Sequence, residues 1–175
     1  MHSNSKRVFF GTFVFDVTES VYQPAEDSFL FAENLSVHEG ARVADIGTGC
    51  GILGIIAGVK AREVVGVDVN PYAVRCARGN AVLNNVADKV SFLQGSLFFA
   101  IRTEEKFDLI LFNAPYLPVL RADSGSWLEH AWAGGKTGRQ TIDRFIRESP
   151  TYLATGGRIL LLQSSLSDVE RTLKS

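Results

Sequence analysis

Hydrophobic residues occur along the chain in short runs that are separated by stretches with helical spacing. Five runs are nearly continuous in Val, Ile, Leu and Phe, which is typical of strands buried on both faces. These predicted strands are residues 41–47, 63–69, 89–95, 107–113 and 157–163. The predicted helices are residues 24–35, 51–60, 71–85 and 137–150. Strands alternating with helices predict a parallel sheet with helices on both faces, and right-handed crossovers favour a doubly wound α/β fold.

The size and composition of the chain narrow its class. A chain of 175 residues, 46% of them hydrophobic, indicates one globular domain over residues 1–175, with residues 1–20 as an N-terminal extension. The formal net charge of −1 disfavours a nucleic-acid partner. No signal peptide or membrane span is recognisable, so we expect a cytoplasmic protein without a membrane partner. The only cysteines, Cys50 and Cys76, do not form a metal motif.

A glycine-rich segment follows the first predicted strand and precedes a helix, and this placement predicts a nucleotide-cofactor loop. Residues 49–54 fit the dinucleotide pattern G-x-G-x-x-G, with Asp68 at the spacing of a ribose-binding acid. Asp45, however, lies two residues before Gly47, where its carboxylate would repel a pyrophosphate. The ammonium and sulfonium groups of S-adenosylmethionine would be attracted to it, directly or through water. The segment therefore favours S-adenosylmethionine as the cofactor, with Gly47 and Gly49 in the binding turn.

Residues at the ends of the next two predicted strands are further candidates for the cofactor site. Asp68 would accept hydrogen bonds from both ribose hydroxyls, with Val69 beside it, because a carboxylate offers two acceptor oxygens. Ser96 stands where an acid often meets the adenine amino group, and its hydroxyl can accept the same bond without charge. Leu97 would flank the adenine ring.

The segment Asn113–Tyr116 follows the fourth predicted strand and resembles the NPPY motif of amino-methylating class I methyltransferases. The segments 21–29 (VYQPAEDSF) and 131–145 (AWAGGKTGRQTIDRF) narrow the resemblance. With them the chain is similar to the HemK/PrmC-like glutamine methyltransferases, and most closely to the archaeal and eukaryotic branch that modifies class I release factors. The resemblance extends from residue 21 to residue 163 and implies a Rossmann-like fold.

The resemblance assigns roles to the motif. The Asn113 side-chain oxygen and the Ala114 carbonyl would accept the two N–H bonds of the substrate amide, and Tyr116 would pack on its plane. These acceptors favour the transition state because positive charge develops on the attacking nitrogen. The family has proline at position 114. Alanine keeps the carbonyl, and Pro115 still holds that residue extended.

The resemblance also implies cofactor neighbours, a substrate loop and partners. It makes Tyr22, Pro24 and Ser28 cofactor neighbours, and residues 116–139 a loop that faces the substrate. The implied substrate is a class I release factor, methylated on the glutamine of its GGQ motif. A small zinc-binding activator would pair along the strand at residues 89–95. Two strands that usually end the sheet are expected to be missing, because only about a dozen residues follow Gln163.

Two alternative functions remain open at this stage. The same acceptors suit the exocyclic amine of a nucleobase, so the protein could methylate N6 of adenine or a similar group in RNA or DNA. Ala114 and Ser96 both depart from the family pattern, which would fit a catalytically inert domain that binds a cofactor or a partner. Asn113 and Tyr116 weigh against that second alternative.

Overall fold

A computed structural model describes residues 5–119 and 126–175, without the side chains of residues 129 and 130. The strands are β1 Ser5–Phe10, β2 Phe13–Thr18, β3 Arg42–Ile46, β4 Glu63–Asp68, β5 Val90–Gln94, β6 Phe107–Asn113 and β7 Leu153–Leu162. The helices are α1 Glu26–Glu33, α2 Ile52–Gly58, α3 Pro71–Leu83, α4 Trp127–His130, α5 Gln140–Glu148 and α6 Val169–Leu173. The five strands and four helices predicted from the sequence are all present.

The central sheet has the strand order β5-β4-β3-β6-β7, and every pair of neighbours is parallel. The chain winds outward from β3 to β5 and then returns to place β6 on the other side of β3. The direction of winding therefore reverses between β3 and β6. Ligands of open α/β sheets bind at such a reversal, beyond the carboxyl ends of the strands. The predicted doubly wound, parallel fold is confirmed.

Alternate side chains of the strands pack into two separate cores. Val43 and Val64 belong to the core beneath the hairpin β1–β2 and helices α1, α2 and α3. Ala44 lies in the opposite core, beneath residues 97–101 and α5. Aromatic rings dominate this second core, where the rings of Phe112 and Phe145 lie 4.4 Å apart. Helices cover both faces, as predicted.

Residues 5–18, expected only as an extension, form a β-hairpin that packs on the domain. Gly11 takes a positive φ of 56° in its two-residue turn, and Phe15 is fully buried. The outer edge of β2 pairs with two side chains that lie one helical turn apart, one in α3 and one at its C-cap. The backbone N–H of Asp16 donates to Asn80 Oδ1 over 2.8 Å, and that of Val14 donates to Asn84 Oδ1 over 3.0 Å. Both asparagines also donate to the carbonyls of these same two residues.

The edge strand β7 begins four residues before its predicted start at residue 157. Its pairing with β6 shifts register between Leu153 and Arg158, and Gly156 takes a positive φ of 76° within this irregular stretch. The apolar run that guided the prediction starts only after the irregularity. No strand follows β7 in the described residues 163–175, which form a short 3-10 turn and α6.

Candidate functional site

A cleft of about 890 Å³ opens at the carboxyl ends of the strands, where the winding reverses. Nearly all of the predicted site residues line it. They are Tyr22, Pro24, Ser28, Gly47, Gly49, Asp68, Val69, Ser96, Leu97, Asn113, Ala114, Pro115 and Tyr116. Asp45 is the exception among the predicted residues. Ser28 and Asn113, which are 85 residues apart in the chain, are thus brought together at one end of the sheet.

The glycine turn after β3 is built from left-handed backbone. Gly47, Gly49 and Gly51 have φ values of 69°, 57° and 89°, which residues with a Cβ rarely adopt. The N–H groups of Gly47 and Thr48 both donate to the Val67 carbonyl, over 2.8 and 3.0 Å. These bonds fasten the turn to the end of β4.

The same turn is poorly suited to a pyrophosphate. A dinucleotide loop presents its backbone N–H groups to the phosphates. Here the Gly49 N–H donates to Asp68 Oδ2 over 2.8 Å, and the N–H groups of Gly47 and Thr48 donate to the Val67 carbonyl. Gly54 is the last glycine of the dinucleotide pattern. It leaves space for the buried Asp45 side chain, because a Cβ at position 54 would lie 2.9 Å from Asp45 Oδ2. The geometry therefore disfavours the dinucleotide alternative.

Asp45 lies behind the turn and is only 1% exposed. Its Oδ2 accepts hydrogen bonds from the Thr48 hydroxyl at 2.6 Å and from the Gly54 N–H at 2.9 Å. Burial raises the pKa of its carboxyl to about 7, although both bonds oppose that shift. A direct contact with the cofactor, one of the two possibilities expected for Asp45, is therefore corrected: its side chain braces the turn from inside the protein.

Asp68 ends β4 and lines the cleft. Its two oxygens accept the N–H groups of Gly49 and, over 2.9 Å, Asn70. Burial raises the pKa of this carboxyl, and the backbone N–H groups oppose the rise. Each oxygen retains a second acceptor site, so Asp68 can still receive the hydroxyls of a ligand. Val69 lines the cleft next to it.

Ser96 and Leu97 form the part of the cleft that follows β5. The Arg144 guanidinium in α5 donates to Ser96 Oγ over 2.9 Å, a contact that the sequence did not indicate. This bond occupies one acceptor site of the oxygen and leaves the hydroxyl hydrogen available to a ligand. Leu97 has a positive φ of 51°, which costs free energy in a residue with a side chain. Such strain is often found at binding sites.

Asn113 ends β6 with its side-chain amide held on one side only. Its Nδ2 donates to Asp27 Oδ2 over 3.3 Å and to Ser28 Oγ over 3.4 Å. Its Oδ1 is buried and accepts no hydrogen bond within the described part of the chain. The next residue is anchored to the edge strand, because the Ala114 N–H donates to the Leu162 carbonyl over 3.2 Å.

Asp27 is a site residue that the sequence did not reveal. Its position in the first turn of α1 is explained equally well by the helix dipole. In the structure Asp27 lines the cleft, and its Oδ2 accepts the Tyr116 hydroxyl at 3.1 Å as well as the Asn113 amide. Burial, and then the negative charge of Asp27, raise the pKa of Tyr116 to about 12. The phenol is therefore a hydrogen-bond donor at neutral pH.

The predicted substrate-facing loop, residues 116–139, is described except for residues 120–125. Trp127, Trp132 and Lys136 line the cleft. The loop pairs with the segment after Tyr116: the Leu117 N–H donates to the Trp132 carbonyl over 3.0 Å, and the Gly134 N–H donates to the Leu117 carbonyl over 2.8 Å. The loop therefore forms one wall of the cleft next to Asn113.

The described residues contain neither a candidate metal site nor a helix that could span a membrane. No group of three or more His, Cys, Asp or Glu side chains is arranged there to hold a metal ion. No helix in residues 5–119 and 126–175 has the length and apolar character needed to cross a membrane.

Comparisons with known sequences identify relatives that are named as methyltransferases. The profile of the ribosomal protein L11 methyltransferase (PrmA) family matches residues 18–120. A candidate protein N5-glutamine methyltransferase of Methanocaldococcus jannaschii is 47% identical over 87% of this chain and 77% of its own. The human methyltransferase HEMK2 is 32% identical over 88% of this chain and 76% of its own. The release factor glutamine methyltransferase of Deinococcus radiodurans is 35% identical, over 75% of this chain but 49% of its own.

Solved structures support the same fold at lower identity. A 16S rRNA N2 G1207 methyltransferase of T. thermophilus superposes with a TM-score of 0.72 at 20% identity, over 99% of this chain and 44% of that one. A ribosomal protein L11 methylase of Lactobacillus delbrueckii gives 0.64 at 22% identity, over 90% and 72%. These similarities establish the class I methyltransferase fold, and the sequence relatives establish the family. The chain belongs to the HemK/PrmC-like protein N5-glutamine methyltransferases.

Proposed function

We propose that this protein transfers a methyl group from S-adenosylmethionine to a side-chain amide nitrogen, namely N5 of the glutamine in the GGQ motif of a class I release factor. The substrate class follows from the family, whose members include proteins named for release factor glutamine methylation. A release factor would place the activity in the cytoplasm. The single observation that carries the proposal is the buried Asn113 Oδ1 at the end of β6, which receives no hydrogen bond from any residue that the structure describes.

The charges of the cleft suit S-adenosylmethionine. Asp27 and Asp68 both line it, and carboxylates favour a ligand that carries an ammonium and a sulfonium group. The Asp68 oxygens can accept ribose hydroxyls, and Ser96 and Leu97 offer a polar and an apolar contact to a base. When bound, the cofactor supplies an electrophilic methyl group. The cleft has a volume of about 890 Å³, which gives room for a cofactor and an entering side chain.

Asn113 can recognise an amide because the orientation of its side chain leaves Oδ1 available to accept a hydrogen bond from a ligand. A glutamine amide carries two N–H donors, and one of them would satisfy the Asn113 Oδ1. An unpaired buried acceptor costs free energy, so an incoming N–H is favoured at this atom. The Ala114 carbonyl would accept the second N–H, and the Tyr116 ring would cover the amide plane.

These contacts would act on the reaction through position and charge. An amide nitrogen is a weak nucleophile. Holding it in line with the methyl group accelerates its attack, so a strong base is not needed. The nitrogen becomes more positive as it bonds to carbon, so the Asn113 oxygen stabilises the transition state more than the bound substrate. The nitrogen loses one proton to solvent as it gains the methyl group, which restores a neutral amide.

We also propose that the small zinc-binding activator of this branch pairs with β5. β5 is an edge strand of the sheet, and its outer backbone groups can accept another strand. The nearby Phe99 is 87% exposed, and a partner would cover such a ring. An activator-dependent rise in activity or solubility would support this pairing.

The decisive experiment follows transfer of a labelled methyl group from S-adenosylmethionine to a purified class I release factor, with and without the activator. Label is expected on the wild-type factor and is expected to be lost when the GGQ glutamine is replaced by alanine. Mass spectrometry of the tryptic peptide should locate one added methyl group on that glutamine.

RNA, DNA and histone substrates serve as controls in the same assay. Label that persists on the factor lacking the glutamine would contradict the proposal. Label found only on nucleic acid would favour the exocyclic-amine alternative. Cofactor binding without transfer to any of these substrates would favour the inert-domain alternative.

A further inference from the structure

Asp27 connects the start of α1 with the segment that follows β6. Its Oδ2 accepts the Asn113 side-chain amide at 3.3 Å and the Tyr116 hydroxyl at 3.1 Å. Its Oδ1 accepts the backbone N–H of Ser28 at 2.7 Å, which fixes the carboxylate on its own helix. The Tyr22 hydroxyl, at 3.4 Å, approaches the same Oδ1. One carboxylate thus binds side chains from both segments that carry the site.

The chemistry of the carboxylate decides how the Asn113 amide is turned. An ionised carboxylate only accepts hydrogen bonds, so Asn113 must present its NH₂ group to Asp27. Turning the amide around would place two oxygens against each other. With the NH₂ group held by Asp27, the Asn113 oxygen has no hydrogen-bond partner among residues 5–119 and 126–175. The unpaired acceptor is therefore a consequence of the acid at position 27.

We propose that Asp27 is a positioning residue for the methyl acceptor: it sets the orientation of the Asn113 amide and holds Tyr116 beside it. The inference rests on the proposed function, because the group being positioned is the substrate amide. Asp27 acts through Asn113 and Tyr116, and no bond to the substrate is assigned to it.

A general effect of charge at the helix N-terminus does not account for these contacts. Glu26 lies in the same turn and carries the same charge, but it is exposed and does not line the cleft. The helix dipole would be satisfied by either acid. Asp27 alone of the two reaches Asn113 and Tyr116. Glu26 is therefore a matched control for the loss of charge at this position.

The kinetic test compares Asp27→Ala with Glu26→Ala in the release-factor methylation assay. Asp27→Ala is expected to lower kcat roughly 10–100-fold, the factor that corresponds to a lost hydrogen bond to a charged group. The Kd for S-adenosylmethionine should change less than about threefold, since the orientation of Asn113 matters mainly for the acceptor. Glu26→Ala should retain wild-type kcat. Unchanged kcat in Asp27→Ala, or an equal loss in both variants, would overturn the inference.

A double-mutant cycle separates positioning from general damage. In the Asn113→Ala background, Asp27→Ala should reduce kcat much less than it does in the wild type, because the group that it orients is gone. If the reduction of kcat in the double variant equals the product of the reductions in Asp27→Ala and Asn113→Ala, the coupling between the two residues is contradicted. If Asp27→Ala does not fold, Asp27→Asn is used. An asparagine has only one acceptor oxygen, so it cannot accept the Ser28 N–H with one atom and the Asn113 and Tyr116 donors with the other.

A measurement without turnover keeps the inference distinct from the proposed function. The Asn113 side-chain amide is identified in a ¹⁵N correlation spectrum by its loss in Asn113→Ala. Its hydrogen exchange with water should accelerate at least about tenfold in the Asp27 variant and stay unchanged in Glu26→Ala. An unchanged rate in both would overturn the positioning role. Failure of the wild-type protein to methylate a release factor would contradict the proposed function but not this result.

Discussion

Gly138 lies against the backbone carbonyl of Tyr116, and a Cβ at position 138 would come within 2.3 Å of that oxygen. The φ of Gly138 is also positive, at 70°. The loop that forms one wall of the cleft thus contacts the motif after β6 at a point that admits only glycine. This contact makes the position of Tyr116 sensitive to the backbone position of Gly138.

Gly138→Ala should therefore damage both stability and activity. We expect a loss of about 1–3 kcal/mol in the free energy of unfolding, because the backbone is strained and the carbonyl must move. A shifted Tyr116 should lower kcat roughly 10–100-fold. Chemical denaturation and the methyl-transfer assay measure the two effects. The control is Gly79→Ala in α3, where a Cβ meets no atom within 4 Å and should stabilise the helix by up to about 1 kcal/mol.

Asn113→Ala should nearly abolish methyl transfer. The expected loss in kcat is roughly 10²–10³-fold, as for the removal of one group that stabilises developing charge. The Kd for S-adenosylmethionine, measured by calorimetry, should change only a few-fold, and this value serves as the internal control for folding. Turnover at the wild-type rate would refute the catalytic role of Asn113. A large loss of affinity for S-adenosylmethionine would instead show that Asn113 acts in cofactor binding.

Asp45→Asn should alter how stability depends on pH. The pKa of this carboxyl is about 7 in the folded protein and near 3.9 in an unfolded chain. The folded state therefore holds the proton more tightly, and the contribution of Asp45 to stability is complete below about pH 4 and is lost as pH rises through about 7. The asparagine side chain does not titrate, so the variant should gain stability relative to wild type over that range.

Urea denaturation of both proteins between pH 4.5 and 7.5 measures this difference. Effects of other titrating groups cancel in the comparison if they are unchanged by the substitution. A difference in unfolding free energy that stays constant with pH would show that Asp45 is not protonated in the folded protein. A wild-type protein that becomes relatively more stable with rising pH would reverse the sign and contradict the prediction.

Asn84→Ala should loosen the N-terminal hairpin. The substitution removes the two hydrogen bonds between Asn84 and the backbone of Val14, so a loss of roughly 1–3 kcal/mol is expected. Hydrogen exchange should show less protection in β1 and β2 than in β3 or β6. Asn34→Ala, which removes one exposed bond to the Leu30 carbonyl, is the control and should cost less. Equal protection of both regions would contradict the prediction.

The central sheet could be predicted because its strands are buried on both faces and therefore read as continuous apolar runs. The hairpin was missed, although Gly11 and Thr12 between two apolar stretches offered a signal for a two-residue turn. β1 is mostly exposed, and the pairing of β2 with the side chains of Asn80 and Asn84 has no counterpart in local sequence. The irregular start of β7 was missed because exposed residues interrupt its apolar pattern.

The site was predictable where a residue follows directly on a strand. Asp68, Ser96 and Asn113 all stand at strand ends, and parallel strands bring those ends together. Asp27 was not predicted as a site residue, because its link to Asn113 spans 86 residues and its local position already had an explanation. Asp45 stands at a strand end as well, yet its side chain points inward. Which way a side chain at a strand end points depends on the turn that follows.

The Asn80 side chain joins the hairpin to the glycine turn. Its two amide hydrogens are donated to the Asp16 carbonyl in β2, at 3.2 Å, and to the Cys50 carbonyl in the turn, at 2.9 Å. If a bound ligand displaces the Cys50 carbonyl from Asn80, the side chain that supports the hairpin is displaced with it. Linkage is reciprocal, so opening of the hairpin would then change the affinity of the turn for that ligand by the same factor.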